Sequence, residues 1–360
     1  MFKHWFRRIH LLLAVLLAFF LINLSISGAL LVFGKEIQNY AQPNNWQICE
    51  GSALLPLSRL VTLIESNSGK TVKQIQLPLQ KNQAWQFKLD NGQYISVDPF
   101  NGNILHRYNE QDSFYGFIMA WHRWLLLRDN TGGKPLKVLV SIASLLFIIE
   151  MLLGLFLWLK PKKRLKRLKI KIKAKPRVRY YQLHTVVGVF TLLPLLLIAL
   201  TGMAFHWQSQ TKTMLEAIVA ESVEQYKHPV ITAGLNKTYQ LDLAFNRGIQ
   251  HMKPGQLYRI YLPYNNQPLK LRVKMPDETF AFSWLWIDPY TAEVIKSYDA
   301  SKANLATRIW NFKYSFHTGD FFGIGLKFIW LLLALLPGIF AITGLWLFAK
   351  RTQSSKIKAI

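Results

Sequence analysis

The run Ile9–Phe33, IHLLLAVLLAFFLINLSISGALLVF, holds no Asp, Glu, Lys or Arg over 25 residues, and it decides the class of this chain. A helix needs about 20 apolar residues to cross a hydrocarbon layer about 30 Å thick. The run is too long for the apolar region of a signal peptide and lacks a clean small-x-small exit, so it reads as a retained helix. Three further apolar runs are long enough to cross: roughly Val138–Leu159, Thr185–Phe205 and Phe328–Ala349.

The composition agrees. Of 360 residues 51% are hydrophobic, yet 44 Lys and Arg stand against 19 Asp and Glu, a formal charge of +25. That apolar content excludes a disordered chain. The single cysteine, Cys49, excludes a disulfide framework, a CxxCH haem attachment and a cysteine cluster for zinc or iron–sulfur. A basic balance of this size suits nucleic acid or a membrane, and its distribution chooses between them. Residues 1–10 hold Lys3, Arg7 and Arg8; Lys160–Arg179 holds twelve cations and no acid; the tail adds Lys350, Arg351, Lys356 and Lys358. These nineteen charges leave only +6 for the rest of the chain. With four spans, all three basic segments fall on one side, which the positive-inside rule makes cytoplasmic. Both termini are expected there. The charge is explained by topology and by attraction to anionic membrane lipid, so nucleic acid is not expected as a partner.

The expected organisation is a first span over 1–33, an external segment 34–137, a second span 138–159 and a basic loop 160–184. A third span 185–205, an external segment 206–327, a fourth span 328–349 and a tail 350–360 follow. The external segments are too long for loops. The first predicts a helix near Leu54–Ser66 and strands over Val72–Leu79, Ala84–Leu89, Gln93–Val97 and Ile104–Tyr108, with a turn at Asp98-Pro99. The second predicts a helix near Leu241–Met252 and strands over Leu257–Leu262, Leu269–Val273, Ala281–Ile287 and Glu293–Tyr298, with a turn at Asp288-Pro289. Each reads as a small α+β unit of one helix and a short antiparallel sheet.

The two halves repeat. His10 precedes Gly28 by 18 residues and His184 precedes Gly202 by 18, within Ser27-Gly28-Ala29 and Thr201-Gly202-Met203. Asp98-Pro99 precedes Gly154 by 56 residues, and Asp288-Pro289 precedes Gly344 by 56. His122 and His317 each stand ahead of a span, 24 and 29 residues after the aspartate of their turn. Each half therefore runs helix, external unit, histidine, helix, which implies a pseudo-two-fold axis along the membrane normal. Under it His10 faces His184 at the cytoplasmic side and His122 faces His317 at the outer side.

Two imidazoles facing across a four-helix bundle are the ligand set of a bis-histidine haem b, held non-covalently here. Two such pairs mean two haems. Ala14 and Gly188 follow His10 and His184 by one turn, and Gly28 and Gly202 by about five, so all share the histidine face. Small residues there leave gaps for a flat macrocycle; Gly154 and Gly344 would serve the inner haem from the other two helices. The alternative use of such glycines is close helix packing, and of such histidines an interfacial polar cap. His206, about 40° off the face of His184, is an alternative outer ligand. His4, His106, His228 and His251 are expected to be solvated, and Pro194 and Pro337 to kink their helices.

The chain resembles the PepSY-associated transmembrane family of bacterial inner-membrane proteins over nearly its whole length. The resemblance rests on Arg8-Ile9-His10 with Ser27-Gly28, Trp121-His122-Arg123, Leu183-His184 with Gly188 and Thr201-Gly202, and Phe316-His317-Thr318-Gly319. The external units look like PepSY domains, which the resemblance places in the periplasm. It implies a dihaem siderophore reductase, in which electrons from the cytoplasmic side reduce ferric siderophore and release iron. It also implies His10, His184, His122 and His317 as the axial ligands. The outer ligand His122 would ride on an interfacial helix separate from its span.

Two haems divide a distance too great for one electron step. Trp121, Arg123, Trp124, Trp310 and Lys313 flank the outer ligands and could shape a docking surface, pair with haem propionates or mark the headgroup level. No dinucleotide or flavin motif occurs, so the donor is a separate reductase or a quinol. Two other readings stand beside this one. One is a haem b subunit that relays electrons to a periplasmic enzyme; the other is a non-redox membrane anchor whose PepSY-like domains regulate a protease.

Overall fold

The computed structural model describes residues 2–49, 51, 53–80, 82–159, 164–226, 228–231, 238–264 and 266–356, without the side chains of 2, 3, 164 and 353–356. Of the basic segments, Lys160, Lys162, Lys163 and Lys358 lie outside the described residues. The first half runs α1 (Phe2–Val32), α2 (Gly34–Ala41), α3 (Pro43–Trp46), α4 (Leu57–Ser68), β1 (Val72–Gln76), β2 (Trp85–Leu89), β3 (Tyr94–Val97), β4 (Ile104–Tyr108), α5 (Phe114–Trp124) and α6 (Leu136–Leu159). The second half runs α7 (Pro176–Ala204), α8 (Gln208–Val219), α9 (Leu241–His251), β5 (Gln256–Tyr261), β6 (Leu269–Lys274), β7 (Ser283–Ile287), β8 (Val294–Tyr298), α10 (Leu305–Thr318) and α11 (Gly323–Lys356). Among the described residues only α3 lacks a counterpart, so the repeat read from a handful of anchors extends through every other element named here.

The chain divides into two compact units: Met1–Phe33, Ile118–Thr211 and Phe316–Ile360 form the first, Gly34–Phe117 and Lys212–Ser315 the second. The first contains four helices long and apolar enough to cross a membrane: α1, α6, α7 and α11. Helices α6 and α11 extend beyond their expected spans, and α7 begins well before its own. Helix α7 starts at Pro176, a proline at its first turn, where its missing N–H costs nothing. Hydropathy detects only the apolar part of such a helix; Arg177 and Arg179 remain helical beyond it. Residues 176–184 of the expected loop are therefore helical, and His184 lies inside α7. Pro194 and Pro337 lie inside α7 and α11.

Helix α1 packs on α6 and α11, and α7 packs on the same two, so α1 and α7 stand on one diagonal of the bundle. Its core is built from Leu17, Leu21, Phe147, Met151, Leu195, Met203 and Leu333. Large apolar side chains such as Leu12, Leu16, Phe19, Phe190, Leu193 and Leu332 point outward, as lipid contact requires. One polar contact ties α1 to α11: Gly338 N donates to Ser25 Oγ at 2.7 Å, at a place where small residues let the backbones approach.

The second unit corrects the expectation of two separate sheets. All eight strands form one antiparallel sheet, ordered β4-β3-β2-β1-β5-β6-β7-β8. Strands β1 and β5 each begin their half and would each leave an open edge. They pair with each other, Ile75 opposite Ile260, and both edges vanish. Helices α4 and α9 cover one face over a common core that includes Leu60, Ile64, Ile75, Phe87, Ile260, Leu271 and Leu285. Asp242 of α9 accepts from the Ser58 amide of α4 at 2.9 Å and also from its hydroxyl. The Asp-Pro turns form as expected: Asp98 Oδ1 accepts from Phe100 N at 2.9 Å, and Asp288 Oδ1 from Tyr290 N at 2.8 Å.

Candidate functional site

The first unit brings four histidines to the inner faces of its helices. A glycine from a neighbouring helix faces each ring. A Cβ at Gly28 of α1 would lie 3.2 Å from Cε1 of His122 on α5, and one at Gly202 of α7 would lie 3.0 Å from Cε1 of His317 on α10. A Cβ at Gly154 of α6 would lie 3.4 Å from Cε1 of His10, and one at Gly344 of α11 would lie 3.8 Å from Cε1 of His184. In the structure each of these four glycines faces an imidazole. Gly188 faces the end of the Phe340 ring at 3.9 Å, and Ala14 is half-buried on α1.

Hydrogen bonds settle which ring nitrogen is free. Ser27 Oγ donates to Asn23 O at 2.6 Å, so its oxygen accepts the Nδ1–H of His122 at 3.0 Å. Thr201 Oγ1 donates to Leu197 O at 2.8 Å and accepts from Nδ1 of His317 at 3.1 Å. His317 Nδ1 also lies 3.1 Å from Ile198 O, which can only accept. Thr343 Oγ1 donates to Ile339 O at 2.7 Å and accepts from Nδ1 of His184 at 3.1 Å. Three of the four rings are thereby fixed as the Nδ1–H tautomer, with the Nε2 lone pair free. At His10 the neighbour is Glu150, whose Oε1 lies 3.1 Å from Nδ1, within ion-pair reach and short of a formed hydrogen bond.

The outer pair is close. The rings of His122 and His317 stand 6.2 Å apart between centroids, inclined at 53°. An ion held at about 2 Å by a nitrogen of each ring would place the centroids about 6 Å apart. Burial, then the charges of His317 and Arg123, pull His122 down to about 3; burial pulls His317 down to about 4. Both rings are neutral at pH 7. All four histidines are half-buried. His10 and His184 lie on the diagonal pair of helices, α1 and α7. Among the described residues no group of three or more His, Cys, Asp or Glu could hold a metal ion with protein ligands alone. Paired imidazoles with free Nε2 instead match an iron whose other four ligands come from a macrocycle, so the donor set fits haem b.

The segments that carry His122 and His317 are held in particular conformations. Both outer histidines ride on short helices separate from the spans, as expected for His122 and now also for His317. Helix α5 ends with Leu125 and Leu126 in left-handed conformations, φ 50° and 65°, and Leu126 N bonds back to Ala120 O. Such backbone costs of order 1–3 kcal/mol per residue and persists only where its surroundings impose it. Trp121 Nε1 donates to Asn23 Oδ1 at 3.1 Å, fastening α5 to α1. After His317 the chain turns at Gly319, φ +71°, where a Cβ would meet the Trp330 ring at 2.4 Å; only glycine fits.

The remaining candidates fall elsewhere. Trp124 is buried, with Lys134 3.9 Å over its ring and Arg123 at 5.6 Å, so Trp124 is not a docking surface. Lys313 sits 3.5 Å over Trp310 and donates to its carbonyl, and burial lowers its pKa to about 8. The ring of His206 lies 6.1 Å from that of Trp207. His4 and His251 are exposed. His106 is not solvated as expected but half-buried, stacked at 5.5 Å on Tyr108. His228 is exposed, yet its Nδ1 accepts from Trp286 Nε1 at 3.2 Å.

Glu150 escaped the sequence reading, although an acid within a membrane span is itself a signal. So did the hydroxyls, although Ser27-Gly28, Thr201-Gly202 and Thr343-Gly344 share one dipeptide pattern. A family model for the PepSY-associated TM region matches residues 7–351 of the chain. No curated protein matches it.

Proposed function

The chain belongs to the PepSY-associated TM family, and from that premise we propose that it is an inner-membrane dihaem b oxidoreductase that reduces ferric siderophore in the periplasm. The observation that carries this reading is the His122–His317 pair, 6.2 Å apart, with each Nδ1–H engaged and each Nε2 free. His10 and His184 supply the second pair in this reading: Thr343 engages Nδ1 of His184, while Nδ1 of His10 lies 3.1 Å from Glu150 Oε1 without a formed hydrogen bond.

Bound between such pairs, haem b supplies a one-electron Fe(III)/Fe(II) couple near each membrane face. The chain's own residues do the rest. Ser27 and Thr201 fix the outer imidazoles in the tautomer that presents Nε2, and Thr343 does so for His184. Gly28 and Gly202 admit those rings against the helix backbone. The apolar sheath of the bundle keeps water from the path between the pairs. A substrate need not ligate iron; it needs only to approach the outer pair closely enough to accept an electron. Fe(III) in hard oxygen ligands is then reduced to Fe(II), which those ligands hold less tightly, and iron is released. By the positive-inside rule the basic segments favour a cytoplasmic side for the termini and the 160–184 segment, where in this reading a separate reductase or a quinol supplies electrons.

A pyridine-haemochrome assay on detergent-purified protein should give two haem b per chain. His10→Ala or His184→Ala should remove one low-spin haem and leave the other; loss of neither would sink the inner pair. The reduced protein, mixed anaerobically with a ferric hydroxamate or catecholate siderophore, should re-oxidise with release of chelatable Fe(II). Haem without re-oxidation would favour a subunit that relays electrons to a periplasmic enzyme. Absence of haem, in protein made with ample haem supply, would favour a non-redox anchor for a protease regulator.

A further inference from the structure

The strands of the second unit carry Lys and Arg but no Asp or Glu. Alternation divides their side chains between two faces. Ile75, Ile260, Leu271 and Leu285 join the core under α4 and α9, which leaves Arg259, Tyr261, Lys270, Arg272 and Trp284 on the opposite face. A bulge between Leu257 and Arg259 sets Tyr258 and Arg259 together against Arg272. Toward one edge of the sheet Tyr226 and His228 pack on Trp286, each at 5.6 Å between ring centroids. Toward the other edge Trp46 packs on Tyr108 at 5.0 Å. Between these covers the face belongs to β1, β5 and β6.

Two guanidiniums oppose each other there, because Arg259 pairs directly with Arg272 in the ladder. Like charges placed so destabilise a sheet. A carboxylate would relieve them, and among the described residues neither arginine has one within ion-pair reach. Arg259 donates only to neutral acceptors, Gln76 Oε1 at 2.9 Å and Tyr261 Oη at 3.2 Å, and its Nε is buried without a partner among the described residues. Arg272 donates from Nε to Ala281 O at 2.6 Å, and its Nη groups donate to nothing among the described residues. The Trp284 and Phe280 rings lie 5.4 and 5.5 Å from its Cζ. Such rings hold a guanidinium in place and leave its forked donors uncommitted. The acids that touch β7 and β8 are engaged elsewhere: Glu278 accepts from Met275 N, Phe282 N and Ser283 Oγ, and Glu224 from Tyr298 Oη and Asn304 N. Arg259, Lys270 and Arg272 are half-buried, so their charges are less screened than on an open surface.

We propose that this face binds a small, multiply negative, oxygen-rich ligand through Arg259, Arg272 and Lys270, and that the ligand is ferric siderophore of the catecholate or carboxylate class. The identity of the ligand rests on the siderophore reading above; the anion site stands on the sheet alone. Guanidinium forks match paired oxygens. The same opposed cations repel a positively charged hydroxamate chelate, which gives the face a preference as well as an affinity.

The test is isothermal titration of the full-length protein with gallium(III) complexes, which are not reduced and so read binding alone. A net-negative gallium tris-catecholate should bind at least about tenfold tighter than a net-positive gallium hydroxamate complex. Arg259→Gln and Arg272→Gln should each weaken the catecholate complex by about tenfold or more and spare the hydroxamate one. Lys270→Gln leaves both arginines in place, should lose part of the preference, and carries the test where an arginine variant fails to fold. Equal affinity for the two complexes, or a preference unchanged in every folded variant, would overturn the proposal. So would inorganic pyrophosphate or glycerol phosphate binding more tightly than the catecholate complex, which would assign the face to phosphate or to a lipid headgroup. Selective binding by a protein that holds no haem would leave this site standing and refute the dihaem reading. Haem that is re-oxidised by ferric siderophore, without selective binding, would refute the site alone.

Discussion

Gly202→Ala and Gly344→Ala place the same methyl group in two membrane helices with opposite expected results. Alanine favours a helix over glycine by about 1 kcal/mol, and both variants gain that term. They differ in what the methyl meets. At Gly344 it would lie 3.8 Å from Cε1 of His184, an ordinary contact. At Gly202 it would lie 3.0 Å from Cε1 of His317, so the ring must retreat by about 0.4 Å or more to reach ordinary packing. That ring cannot slide freely, because Thr201 Oγ1 and Ile198 O hold its Nδ1 at 3.1 Å each. Overpacking of this kind costs about 1–3 kcal/mol. Gly344→Ala should therefore match or exceed the parent in thermal stability in detergent. Gly202→Ala should fall below Gly344→Ala by about 1–3 kcal/mol. Gly202→Ala should also broaden or halve the outer haem signal in a reduced-minus-oxidised spectrum while the inner signal persists. Equal stability of the two variants with identical spectra would refute the claim that Gly202 seats a ligand ring.

Other consequences follow from neighbouring contacts. Ser27→Ala and Thr201→Val should each accelerate transfer of the outer haem to apomyoglobin, with a roughly ten- to hundredfold loss of affinity, and spare the inner haem. Ile75→Ala removes a fully buried side chain at the strand pair that joins the two halves. It should cost about 2–5 kcal/mol, and limited proteolysis should show both halves of the sheet lost together rather than one surviving. Glu278 accepts from Met275 N at 2.8 Å, Phe282 N at 3.0 Å and Ser283 Oγ at 2.9 Å. Glu278→Ala leaves those donors unpaired and should destabilise the second unit by several kcal/mol, measured by denaturant unfolding.

Much of this was legible in the chain because its signals are local. Long apolar runs announce spans, and the 18-residue interval from His10 to Gly28 recurs from His184 to Gly202. The Asp-Pro turns carry their own hydrogen bonds and need no tertiary context. What was not legible depends on partners far away in sequence. Nothing in Val72–Gln76 names Gln256–Tyr261 as its neighbour; an alternating strand declares a buried face, not what lies at its edge. Glycines at helical spacing announce a close approach without saying whether a macrocycle or an imidazole fills it. Glu150 vanished into the high mean hydropathy of its span, since one acid among apolar residues barely moves an average. The ends of the spans were missed for the same reason, because Arg177 and Arg179 continue a helix that hydropathy had already closed.

The central claim is that paired histidines at each end of this bundle hold haem. It is met most directly by counting haem b per chain in full-length, detergent-purified protein expressed with added haem precursor. The account predicts two, both low-spin, falling to one in His122→Ala with the inner signal intact. No haem in the parent protein, or two haems retained in His122→Ala and in His317→Ala, would contradict it.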